Sequence, residues 1–117
     1  MKFVLMIYQG TTPLPGSHAW KALPEAEQKA IYTDYARINQ APGVTPGLPL
    51  GLPSEAKTVQ VREGTLQVKN GTYLAEGAGG YFVFEAENLE AAVALAAQIP
   101  AARLGGAVEV RPAEQYW

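Results

Sequence analysis

Few side chains in this sequence are suited to moving a proton or holding a charged ligand, and they are scattered. His18 is the only histidine, so it is the only side chain that titrates near neutrality without help from its surroundings. No carboxylate or second histidine stands near it at ligand spacing, which makes a poor metal site. From a loop it can still cap a pocket and shuttle a proton. Glu76 lies in a loop of glycines and alanines. Burial near an interface would raise its pKa and make it a general base, whereas isolated glutamates are mostly solvated. Arg103, just after Pro100, offers a bidentate fork to an anionic group. The alternative is a structural arginine that ties its loop to a helix end or to Glu109. Tyr8, Tyr73 and Tyr81 line a pocket if their hydroxyls turn inward, or pack at strand ends with the hydroxyl in water. Glu76 and His18 are thus the catalytic candidates, and Arg103, Tyr8, Tyr73 and Tyr81 the ligand-binding ones. No metal and no cofactor is expected.

These residues need a scaffold, and the composition limits what it can be. The 117 residues carry 48% hydrophobic and 17% charged side chains, ordinary values for one globular domain over residues 1–117. There are no cysteines, so disulfides, thiolate metal sites and cysteine nucleophiles are excluded. A net charge of −2 without a basic run argues against nucleic-acid binding, which needs a cationic footprint. The apolar opening Phe3–Tyr8 is too short to span a membrane and has no signal-peptide cleavage region. No membrane partner is expected, and the cytoplasm of a bacterial cell is the expected compartment.

The elements follow from periodicity. Lys2–Tyr8 reads as a largely apolar central strand. Gln9–Ala22 reads as a loop, and Pro24 as the first residue of a helix whose stripe is Ile31, Tyr35 and Ile38. Leu23 is a poor cap for it. From Pro42 to Pro53, prolines and glycines alternate with Val44, Leu48, Leu50 and Leu52. That pattern forbids a central strand and predicts an irregular edge strand or a loop folded over a pocket. Thr58–Val61 and Leu66–Lys69 form a hairpin around Glu63-Gly64, and Asn70-Gly71 is a further turn. Gly79–Phe84 is a buried strand, Leu89–Ile99 a helix with Leu89, Ala92, Val93, Ala96 and Ile99 on one face, and Ala107–Arg111 a strand alternating apolar in and charged out. Gly77, Gly79 and Gly80 precede a strand, so they are not a phosphate-binding loop.

Two strand–helix–strand units with a hairpin between them predict an α+β, ferredoxin-like sandwich: an antiparallel sheet, two helices on one face, and an extra hairpin. The other face of the sheet would then be bare. A homodimer formed sheet against sheet would cover it.

The residues also resemble a known family. The opening strand, Asn70-Gly71-Thr72-Tyr73-Leu74-Ala75-Glu76, the Gly79–Phe82 strand, Ile99-Pro100-Ala101-Ala102-Arg103 and Val108-Glu109-Val110-Arg111-Pro112 resemble the YCII-related proteins, and within them the DGPF branch. The resemblance implies a dimeric α+β barrel, and Arg103 and Glu76 match the family's arginine and glutamate. The naming turn differs, with Asn70, Thr72 and Tyr73 at three of its four positions, so any role of its carboxylate does not carry over. Related proteins are proposed to use a His–Asp pair with the histidine at the start of the first helix, where this chain has none. A non-catalytic ligand-binding or regulatory accessory protein is therefore the leading expectation. A cofactor-independent lyase- or isomerase-type enzyme with a pocket near the dimer interface is the alternative, and a purely structural dimer is a third.

Overall fold

Strand β1 (Lys2–Tyr8) is hydrogen-bonded along both edges, and the remaining elements are placed by what it needs on either side and on either face. A computed structural model describes residues 1–116; Trp117, the last residue of the expected domain, lies outside the described residues. After β1 the chain makes helices α1 (His18–Lys21) and α2 (Glu25–Asn39), the short strand β2 (Val44–Pro46), and the hairpin strands β3 (Lys57–Arg62) and β4 (Thr65–Asn70). It ends with β5 (Ala78–Glu85), α3 (Leu89–Ala96) and β6 (Ala107–Pro112).

The main sheet has the order β2-β5-β1-β6, with every pair antiparallel. Leaving out the hairpin, this is the ferredoxin-like arrangement expected from the sequence. Alternation along β1 buries Phe3, Leu5 and Ile7 on one face. Leu5 faces Phe82 on one side and Val110 on the other. Ile38 from α2 and Ala92, Leu95, Ala96 and Ile99 from the α3 region close over them. Val4, Met6 and Val83 lie on the opposite face, half-buried, with the more exposed Tyr81, Glu109 and Arg111 beside them. No helix among the described residues is long and apolar enough to cross a membrane.

Three boundaries differ from the sequence expectation. His18 is not in a loop but opens α1, because the Ser17 hydroxyl accepts from the Trp20 N–H at 3.1 Å and Trp20 buries its ring. Pro24 is the cap residue of α2 rather than its first residue. Its carbonyl accepts from Glu27 and Gln28, and the Gln28 amide reaches back to the carbonyls of Trp20 and Leu23. That clasp supplies what a capping side chain would. Helix α3 stops at Ala96 instead of Ile99, since the residue before a proline is pushed out of helical geometry. Ile99 instead leads into a 3-10 turn at Pro100–Ala102. The buried stripe shifts accordingly to Ala92, Leu95, Ala96 and Ile99, leaving Leu89 and Val93 half exposed.

The hairpin β3–β4 forms a sheet of its own. Glu63 and Gly64 both take positive φ at its tip, as a two-residue hairpin turn requires. Val59 pairs with Val68 and Val61 with Leu66, and all four are more than half exposed. This arm stretches the molecule to a radius of gyration of 16.2 Å, against about 13 Å for a compact domain near this size. Stability is therefore concentrated around β1. Leu5→Ala should lower the unfolding free energy by about 2–5 kcal/mol in urea titration, while Val59→Ala on the arm should stay within about 0.5 kcal/mol of the parent.

Candidate functional site

The proline-rich segment runs beside β5 beyond the three residues of β2. The Gly47 N–H donates to the Tyr81 carbonyl at 3.1 Å and the Leu50 N–H to the Gly79 carbonyl at 3.0 Å. Prolines at 46 and 49 have no hydrogen to offer and so suit an outermost strand. Gly80 opposes this segment without a side chain, and its missing bulk leaves a void between β5, α2 and the segment. A Cβ on Gly80 would stand 3.6 Å from the Leu48 carbonyl oxygen, which is ordinary contact. The glycine therefore keeps space open without being demanded by backbone strain.

The resulting cleft has a volume of about 600 Å³. Its deep wall is Ile7, Ile31, Phe82 and Pro100, and Trp20 and Tyr32 form another side with their rings edge to face at 5.4 Å. Leu48, Leu50 and Leu52 form an apolar lip, each more than half exposed. Polar groups are few. Gln9, Thr12 and Tyr35 lie in the wall, with Asn39 and Glu55 also lining the cleft. Tyr35 is stacked on Phe82 with centroids 6.5 Å apart. Burial pushes its phenol above the ordinary tyrosine pKa, and the Gln9 side chain and the Arg103 charge oppose that shift. The Glu55 carboxylate accepts from the Leu52 N–H at 2.9 Å and so holds the start of its own turn.

The structure separates the residues that the sequence singled out. Tyr81 lines the cleft. Tyr8 and Glu76 share a second, shallower recess of about 400 Å³ with Gly10, Gly105, Gly106 and Ala107. The Thr11 N–H donates to the Gly105 carbonyl here, and a Cβ on Gly10 would collide with that oxygen. His18, on α1, lines neither recess, and Tyr73 stands 72% exposed outside both. Arg103 donates to Asp34 Oδ2 at 2.8 Å, and Arg37 takes the other oxygen at 3.0 Å. Its structural alternative is thus the one with a visible partner, although that partner is Asp34 on α2 rather than Glu109. Among the described residues, no cluster of three or more His, Cys, Asp or Glu could hold a metal.

Gln9, Thr12, Trp20 and Tyr35 were missed as site residues. Tyr35 carried a helix-stripe signal that assigns it to the core. Its position beside the void depends on glycines far away in the chain.

The family model of the YCII-related domain covers residues 1–115. No curated protein matches the chain.

The half-buried Tyr35 phenol has a consequence for alkaline stability. Below about pH 10 Tyr35 is protonated whether the chain is folded or unfolded. Above that, the unfolded chain releases the proton more readily than the folded one, so stability falls as pH rises through the folded pKa. Urea titrations from about pH 9 to about pH 11 should show this decline, and Tyr35→Phe should flatten it.

Proposed function

The chain belongs to the YCII-related family, and on that premise we propose that it is a non-catalytic small-molecule-binding or regulatory accessory protein. The cleft between α2, the glycines of β5 and the proline-rich segment is its ligand site. One observation carries this reading: a cavity of about 600 Å³ lies within the roughly 300–1,000 Å³ of small-molecule sites. It is walled by apolar and aromatic groups with a few polar ones, while Glu76 and His18 stand outside it. Acid–base chemistry needs titratable groups converging within hydrogen-bond reach of one reacting atom. A binding site needs shape, apolar surface and a small number of polar anchors.

The alternative, a cofactor-independent lyase- or isomerase-type enzyme, draws on the recess where Tyr8 and Glu76 meet. Within the family we assign the chain to the DGPF branch. The Asn70-Gly71 turn, with Gly71 at φ 92°, and the Pro100–Arg103 loop support that assignment. A cytoplasmic location goes with the same reading.

We also propose a homodimer through the open sheet face. Val4, Met6 and Val83 form an apolar centre there, flanked by the charged pair Glu109 and Arg111. A second copy turned about a two-fold axis would bring the same centre against itself, which is how isologous interfaces are built.

Two measurements test these readings. In a thermal-shift screen of small aromatic compounds, ligands should raise the melting temperature of the parent chain and of Glu76→Gln alike. Gly80→Val, which fills the floor of the cleft, should abolish the response. A response that survives Gly80→Val and disappears in Glu76→Gln would move the site to the Tyr8 recess. In light scattering the chain should have twice its own mass of 12.5 kDa, and Met6→Glu with Val83→Glu should reduce that to one copy. A parent chain of single mass would remove the dimer.

A further inference from the structure

Resting on the reading of the cleft as a ligand site, we infer that it takes an uncharged ligand: a flat apolar body bearing one hydrogen-bond acceptor such as a carbonyl oxygen, with Tyr35 donating to it. Three observations lead there.

The first is the charge of the walls. Glu55 is the one carboxylate or cation among the described lining residues, and its carboxylate caps a turn at the lip. Arg103, the guanidinium that acts on Tyr35, pairs with Asp34 at 2.8 Å and does not line the cleft. An anion entering the cleft would lose its hydration and meet no counter-charge, a penalty that apolar contact does not offset. A cation would find only a partly engaged carboxylate at the solvent edge, where attraction is screened.

The second is the state of the phenol. Tyr35 lines the cleft, stacked on Phe82, and its partial burial pushes the phenol above the ordinary tyrosine pKa, so it carries its proton near neutrality. A protonated phenol can donate its hydrogen, and a carbonyl oxygen is a natural recipient.

The third is Thr12. It lines the cleft at 8% exposure, and its hydroxyl has no hydrogen-bond partner. Buried hydroxyls are nearly always paired, so an unpaired one in a cavity wall marks a place for a polar atom of an occupant. One step about χ1 carries the hydroxyl to the position the methyl holds. The aromatic faces of Trp20 and Tyr32 and the leucine lip then account for the flat apolar body.

The test uses the full chain and four probes of similar shape: acetophenone, ethylbenzene, benzoate and benzylamine, titrated by calorimetry. Acetophenone should bind tightest. Tyr35→Phe should weaken it about three- to ten-fold, the value of one hydrogen bond, and leave ethylbenzene unchanged. Thr12→Val should also weaken acetophenone more than ethylbenzene. Tighter binding of benzoate or benzylamine by the parent chain would overturn the inference while sparing the cleft as a binding site, and that ranking needs no variant to fold. Equal losses for acetophenone and ethylbenzene in Tyr35→Phe would also overturn it, by making the ring a packing group. If none of the four binds, the cleft reading falls and takes this inference with it.

Discussion

A strand bonded on both sides must bury one face completely, and that constraint on β1 organises this protein. Phe3, Leu5 and Ile7 are nearly inaccessible, and two helices are needed to keep them so. The core they form is small and depends on alanines in α3 that let the helix come close to the sheet. Where β1 runs out, the apolar layer thins. Ile7 is the last residue of the strand on the core face and also the first in the wall of the cleft. The site is in this sense the unfinished edge of the core.

An unfinished edge ordinarily collapses, because close packing stabilises and voids do not. Two features hold this one open. Gly80 brings β5 into the sheet with no side chain projecting towards Leu48 and Pro49. The proline-rich segment cannot fold down as a helix, and its hydrogen bonds from Gly47 and Leu50 fix it along β5. The leucines between the prolines then have no core to enter and line the lip instead. A run of residues that looks poorly suited to any regular element therefore builds a rigid apolar rim, since proline has little backbone freedom to lose on ordering.

Electrostatics explain why the site was hard to read in advance. Chemistry-bearing residue types drew attention to Glu76, His18 and Arg103. Of these, Arg103 is engaged by Asp34, Glu76 faces a different recess, and His18 opens a short helix. The polar groups that line the cleft include a glutamine, a threonine, a tyrosine and an asparagine, which carry no formal charge and no motif, beside the single carboxylate of Glu55. Uncharged polar groups have no signature in charge patterning. Tyr35 was placed by its helical spacing on the buried face, which is right, but spacing cannot tell a residue that touches core from one that touches a cavity.

The amino-acid sequence alone determined the order of elements, the alternation that buries one side of β1, the glycine-tipped hairpin and the proline-rich edge. All of these are local: periodicity, missing N–H groups and positive φ act within a few residues, so a single chain displays them. Only the tertiary structure decided that the hairpin leaves the main sheet, that Asp34 takes Arg103, and that Gly80, Tyr35, Thr12 and Trp20 surround one void. Those outcomes join residues far apart in the chain. Their partners are chosen by how whole elements pack, and that choice is not written at any one position.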